Sequence, residues 1–249
     1  GEFMLHYQPR VHARTGAVRS AEALLRWTHP ERGLLMPGAF IDLLEESGLI
    51  DEVGQWAIDE ACRQLSQWQR DRVPLRGVAV NVSTRQLHLP DFAERVLAAL
   101  AAHGLSPTAL EVEITESIFV GDTTIPIATL NRLRDAGVRI ALDDFGTGYS
   151  SLSYLHKLPI GILKVDRSFV ADLGQRDSAL ALTRSIVALA RALRLQVVAE
   201  GVESRQQAEL LEELGCDELQ GYLFERPLPA TGLADFAVRR AEAPEAVTR

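Results

Sequence analysis

The chain has 249 residues, 47% of them hydrophobic and 24% charged, which suits one ordinary globular domain long enough to bury a core. Its 34 acidic residues against 26 basic ones leave a net charge of −8, which excludes the basic footprint of a DNA- or RNA-duplex-binding surface. No apolar run reaches the ~18 residues of a membrane span, so no membrane contact is expected of this domain. Cys62 and Cys216 have no metal-like spacing and are expected as reduced core residues in the cytoplasm.

Gly1-Glu2-Phe3 reads as a cloning remnant, so residues 1–4 are set aside as an N-terminal edge and one domain is expected over 5–240. HYQPRVH (6–12) and AVRSAEALLRW (17–27) are separated only by Ala13-Arg14-Thr15-Gly16. That gap is too short for a crossover, so the pair predicts an antiparallel hairpin. A turn centred near residues 14–15 sets Gln8 roughly opposite Ala21 and Glu22. A helix is expected over 51–68, with Val53, Trp56, Ala57, Ala61, Leu65 and Trp68 on its apolar face. Short β-branched runs and helical patterns then alternate: VAVNV (78–82), a helix over 91–100, LEVEI (110–114), VRIAL (138–142), GILKV (161–165), a helix over 178–193, LQVVA (195–199) and CDEL (216–219). The helix after LQVVA opens with Ser204 and carries Gln207 three residues on, the spacing of a capping box. The Ala/Glu-rich tail, 241–249, is expected to fray.

Strands alternating with helices mean right-handed βαβ units and a parallel sheet. Two hairpin strands plus six later ones make eight. The expected fold is therefore α/β, a (β/α)8 TIM-type barrel with an antiparallel first strand. A doubly wound open sheet is the alternative that the pattern leaves.

The strand ends carry the chemistry. Asn81, Glu113, Asp143 with Asp144, Lys164 with Asp166, Glu200 and Gln220 end successive strands, and Glu116 and Glu203 follow closely. Parallel barrel strands deliver their C-terminal ends to one rim, and the reversed first strand brings Gln8 and Glu22 to the same place. One acidic residue at a strand end is ordinarily a helix N-cap, which Asp144 or Glu116 could be in isolation. Repetition over most of the strands needs another explanation. So many carboxylates in a dry mouth repel one another unless cations sit among them. Carboxylate and amide oxygens suit hard divalent ions, Mg2+ or Mn2+. No His/Cys cluster suggests zinc: none of the six histidines is expected on a strand end, and His12, His29, His88, His103 and His156 are expected in loops or helices at the surface.

Neighbouring residues in a strand face opposite sides, so Asp143 and Asp144 can share a rim only where the strand breaks into Phe-Gly-Thr-Gly. One carboxylate could then bridge two metals and the other hold the second, the arrangement that activates a water for in-line phosphoryl displacement. Asp144-Phe145-Gly146 also matches the DFG triplet of protein kinases, but no upstream Gly-rich loop or HRD-type loop accompanies it.

Glu22-Ala23-Leu24-Leu25-Arg26-Trp27 contains the Glu-Ala-Leu triplet of the EAL domains, the cyclic-di-GMP phosphodiesterases. The chain resembles that family from LHYQP (5–9) to QGYLFERPL (220–228), through NVS (81–83), EVEITES (111–117), DDFGTGYSSL (143–152), LKVDRSFV (163–170) and VVAEGVES (197–204). The resemblance implies hydrolysis of cyclic di-GMP to linear pGpG with two divalent ions, Mg2+ or Mn2+. It implies that Glu22, Asn81, Glu113 and Asp143 hold one metal, and that Asp143, Asp144 and Glu200 hold the second. Lys164 would hold the nucleophilic water or stabilise phosphoryl charge, and Glu200 would be the general base. Gln8, Leu24, Arg26 and Gln220 would line the substrate, Glu116 would anchor the glycine-rich loop, and Glu203 would support the ligands from outside. The resemblance further implies a homodimer whose interface adjoins residues 145–152, and sensor or other signalling domains in the full-length protein. Some relatives keep the fold and only bind the dinucleotide, so a silent receptor is the alternative.

Overall fold

The computed structural model describes residues 1–119, 123–146, 155 and 157–242. The strands β1 (Phe3–His12) and β2 (Val18–His29) form an antiparallel hairpin in which Gln8 stands opposite Glu22. The next six barrel strands are parallel to β2: β4 (Gly77–Asn81), β5 (Leu110–Thr115), β6 (Arg139–Phe145), β7 (Ile162–Val165), β8 (Gln196–Ala199) and β9 (Glu218–Leu219). β9 pairs antiparallel with β1 and closes an eight-stranded barrel. A short additional strand, β3 (Gly33–Leu35), pairs antiparallel with the outer end of β2 and stays outside the ring.

Helices cover the barrel: α1 (Ile41–Ser47), α2 (Ile50–Arg70), α3 (Thr84–Leu87), α4 (Phe92–Ala102), α5 (Thr124–Ala136), α6 (Arg167–Ala171), α7 (Asp177–Ala192), α8 (Arg205–Leu214) and α9 (Ala230–Glu242). Ser204 and Gln207 make the reciprocal bonds of a capping box at the start of α8. No described helix is long and apolar enough to cross a membrane. Cys62 and Cys216 are buried free thiols.

Strand alternation sorts the interior into two media. Val78, Val80, Leu110, Val112, Ile140, Leu142, Leu163, Val165, Val197 and Ala199 are buried between the sheet and the helices and form most of the apolar core. The opposite parity faces the lumen. There a small apolar cluster of Ala141, Ile162 and Val198 interrupts a polar set that includes Arg10, Glu22, Glu111, Glu113, Lys164 and Gln220, all buried.

Two expectations are corrected. On α2 the buried stripe is Ala57, Ile58, Ala61, Cys62, Leu65 and Trp68, whereas Trp56 is 38% exposed and Val53 only partly buried. Trp56 lies about 200° around the helix from Ile58, so it cannot share that stripe. The histidines also differ from expectation. His12 is the last residue of β1, where the segment HYQPRVH itself ends, and His29 is the last residue of β2, which runs two residues past AVRSAEALLRW because β3 extends its pairing. Neither belongs to the acidic cluster described below. His156 and residues 147–154 of the glycine-rich segment lie outside the described residues.

Candidate metal centre

The C-terminal ends of the strands meet around one ammonium group. Lys164 of β7 is 0% exposed, and its Nζ lies 2.7 Å from Glu113 Oε2, 2.8 Å from Asp143 Oδ2, 2.6 Å from Glu200 Oε1 and 3.6 Å from Glu22 Oε2. One carboxylate oxygen each from Glu22, Glu113 and Asp143 falls within 4.8 Å of the other two. Glu22 is fixed on both sides: Oε1 accepts from Asn81 Nδ2 at 2.7 Å and Oε2 from Gln220 Nε2 at 2.7 Å. Gln220 Nε2 also donates to Gln8 Oε1 at 3.0 Å. Gln8, Glu22, Asn81, Glu113, Asp143, Lys164, Glu200 and Gln220 therefore come together, the first six from six barrel strands and the last two from the residues that follow β8 and β9.

A β-bulge sets the position of the adjacent aspartates. Leu142 pairs with Leu163 and Phe145 with Val165, so Asp143 and Asp144 together oppose Lys164. Asp144 sits at φ 54°, a left-handed conformation that Asp tolerates better than most residues. The strict alternation is broken there. Asp143 turns inward and is buried, while Asp144 stays at the exposed rim with its N–H donating to Asp143 Oδ1 at 2.8 Å. Beyond the bulge, Gly146 N–H donates to Glu116 Oε1 at 2.9 Å.

Charge and burial oppose each other at these groups. Burial alone would raise Glu22, but Lys164 and Arg10, with the bonds from Gln220 and Asn81, hold its carboxyl below the ordinary value. Burial pushes Glu200 up to about 7; Lys164 pulls against this, while Asp143 and Glu22 add to the rise. Asp144 is raised by burial and then by its neighbours Asp143 and Asp166. Lys164 is held above the usual lysine range, because Asp143, Glu200 and Glu22 outweigh the cost of burying its charge.

Two hollows flank the cluster. A cavity of about 320 Å³ has Leu24, Ile41, Ile50, Asn81 and Ser83 in its lining. A polar one of about 170 Å³ is lined by Gln8, Arg167, Glu200, Glu203, Gln220 and Tyr222, with the side chain of Glu203 exposed. Arg26 is 5% exposed; Nη1 donates to Leu25 O at 2.8 Å, and the buried Nε has no hydrogen-bond partner among the described residues.

Reading strand ends missed the polar layer beneath the site. Arg10 is 1% exposed, and its guanidinium contacts Glu111 Oε1 at 2.5 Å, Gln220 Oε1 at 3.2 Å and Glu113 Oε1. The available signal was period two: Arg10 lies two residues from Gln8, and Glu111 two from Glu113. Arg10→Met removes the nearest cation from buried Glu111 and from one oxygen of Glu113, leaving Arg139 at 3.4 Å from Glu111 Oε2 and Lys164 at 2.7 Å from Glu113 Oε2. The expected cost is about 3–5 kcal/mol, read from urea denaturation. A loss well under that range means another cation already compensates the two glutamates.

Comparison with known proteins decides the family. The family model described as "EAL domain" matches residues 1–227. The chain belongs to the EAL domain family. This EAL domain is 46% identical over 232 residues to the bifunctional diguanylate cyclase/cyclic di-GMP phosphodiesterase MucR of Pseudomonas aeruginosa, covering 93% of the chain and 34% of MucR. It is 45% identical over 234 residues to the cyclic di-GMP phosphodiesterase NbdA of the same organism, covering 93% of the chain and 30% of NbdA. The chain thus spans about a third of the length of these relatives. Among solved structures, the MucR phosphodiesterase in complex with c-di-GMP superposes with a TM-score of 0.87 at 45% identity, covering 93% of this chain and 94% of that one. The EAL enzyme Bd1971, bound to cAMP and cyclic di-GMP, gives 0.90 at 36% identity, covering 95% and 65%. The EAL domain therefore has the family barrel.

Proposed function

We propose that this EAL domain is a metal-dependent phosphodiesterase that hydrolyses cyclic di-GMP to linear pGpG. The observation that carries the reading is the convergence of Glu22, Glu113 and Asp143 on one point of the barrel mouth. MucR and NbdA, named as cyclic di-GMP phosphodiesterases, support it.

The donor set fits a hard divalent ion. Four carboxylates, from Glu22, Glu113, Asp143 and Glu200, face Lys164, with Arg10 pairing Glu113 from the layer beneath, so among the described residues the pocket keeps an excess of negative charge. All its donors are oxygen. Glu22, Asn81, Glu113 and Asp143 would hold one Mg2+ or Mn2+, and Asp143, Asp144 and Glu200 a second. Bound divalent ions supply Lewis-acid charge to the phosphoryl group and make water acidic enough to attack at neutral pH. The chain supplies the rest. Lys164 holds Glu113, Asp143 and Glu200 in register and places a fixed positive charge beside the reacting phosphate. Glu200, 2.6 Å from Lys164 Nζ at the barrel mouth, is placed to accept the proton from the attacking water. Arg26, with its unpartnered buried Nε, is suited to the phosphate that is not cleaved. Leu24 offers apolar surface to the ligand, and Gln8 with Gln220 offers amides. One P–O3′ bond breaks, water contributes the new P–O bond, and the 3′ oxygen leaves as a hydroxyl.

The test is to incubate the domain with cyclic di-GMP and Mn2+, Mg2+ or Ca2+ and separate the products by chromatography. Linear pGpG with Mn2+ or Mg2+ is expected. Intact cyclic di-GMP in every incubation, together with tight binding, is the signature of a silent receptor and overturns the enzymatic reading.

A further inference from the structure

Among the contacts of the described residues with the bulge that carries Asp143 and Asp144, two are polar and one is a ring contact. Lys164 Nζ holds Asp143 Oδ2 at 2.8 Å on one side. Glu116 Oε1 accepts the Gly146 N–H at 2.9 Å on the other. The third grip is the ring of Phe169 in α6. A Cβ built on Gly146 would lie 2.8 Å from Phe169 Cζ and 2.9 Å from Cε2, so the ring edge occupies the space where a side chain would begin. Gly146 has φ 96°, a conformation that L side chains rarely adopt.

The ring is itself held. Asp166 caps α6 by accepting from Ser168 N–H at 3.0 Å, and the Phe169 carbonyl accepts from Thr183 Oγ1 of α7 at 3.1 Å. Thr183 is 0% exposed, and Phe169 packs on the main apolar core. Lys164 and Phe169 are five residues apart on one short stretch of chain, so the same segment meets the bulge at its start and at its end.

We propose that Phe169 is a positioning residue: its ring is the seat on which Gly146 rests, and it fixes the direction in which Asp143 and Asp144 present their carboxylates. The proposal rests on the metal-centre reading above. Asp144 needs such a seat most, because it is exposed and its left-handed backbone is not secured by regular strand pairing. A polar grip on one N–H fixes a point; the ring beneath Gly146 fixes the tilt of the peptide on either side.

The test pairs two matched substitutions, Phe169→Leu and Phe92→Leu. Phe92 is 1% exposed in α4, in the outer helix layer, and serves as the control for lost packing alone. Mn2+ binding is measured by calorimetry without substrate, kcat and KM for cyclic di-GMP at saturating Mn2+, and folding by circular dichroism and melting temperature. Phe169→Leu is expected to stay folded, to weaken Mn2+ binding, and to lower kcat at least ~tenfold with KM little changed, as small misplacements of reacting groups do. Phe92→Leu is expected to lower the melting temperature without moving Mn2+ affinity or kcat. Wild-type Mn2+ binding and kcat in Phe169→Leu, or equal losses in Phe92→Leu, overturn the positioning role while leaving the metal centre intact. A wild-type chain that takes up no Mn2+ overturns the metal-centre reading, and this proposal with it.

Discussion

Asp143→Ala is expected to abolish turnover of cyclic di-GMP and leave a folded barrel. Both halves follow from the geometry. Asp143 belongs to the cluster of three carboxylates and, in the proposed scheme, is shared by both metals. Substituting residues that merely support metal ligands costs ~10–100-fold in affinity or activity, and loss of a shared ligand is expected to exceed that range. Folding survives because Lys164 keeps Glu113 at 2.7 Å and Glu200 at 2.6 Å, so its buried charge is not orphaned. Calorimetric Mn2+ titration, with circular dichroism as the folding control, checks both parts. Undiminished Mn2+-dependent hydrolysis by Asp143→Ala contradicts the assignment of this residue.

Lys164→Met is expected to convert a metal-tolerant fold into a metal-requiring one. Lys164 is the cation that the four carboxylates share, and it is fully buried. Removing one partner of a buried ionic cluster costs about 3–5 kcal/mol, because the remaining charges lose their compensation. A divalent ion that binds only the folded state returns stability by mass action. The melting temperature in EDTA should therefore fall well below wild type, and the gain on adding Mn2+ should be larger than in wild type. Hydrolysis should still be lost, by roughly 10²–10³-fold, because the metal cannot replace the fixed ammonium beside the phosphate. An Mn2+-induced gain equal to that of wild type would show that Lys164 is not the cation balancing the cluster.

Much of this was legible in the sequence, for identifiable reasons. A four-residue gap between HYQPRVH and AVRSAEALLRW admits only a hairpin, and the hairpin register followed: Gln8 stands opposite Glu22. Parallel strands share one rim, so residues at strand ends could be placed together without knowing the sheet in detail. The Ser204–Gln207 box was readable because a cap is a local interaction. What was missed depends on the third dimension. Arg10 and Glu111 lie one layer inside the barrel, where a charge is expected only if its partner on another strand is already known. Trp56 was assigned to the apolar face on residue type, but the helix phase is set by Ile58, Ala61 and Leu65. The Phe-Gly-Thr-Gly sequence pointed to a break in the strand, whereas the chain makes a bulge at Asp143-Asp144 and keeps Phe145 paired with Val165. The contact of Gly146 with Phe169 was not legible, because it joins residues far apart in the chain.

Oxygen donors at the barrel mouth are expected to hold the divalent ions on which hydrolysis depends. The most direct measurement follows cyclic di-GMP by chromatography in one continuous reaction of the wild-type chain, to which Mn2+, then EDTA, then excess Mn2+ are added. Linear pGpG is expected to accumulate after the first Mn2+ addition, to stop accumulating at EDTA and to resume at the second Mn2+ addition. Steady product formation through the EDTA interval, or cyclic di-GMP intact throughout, would contradict that expectation.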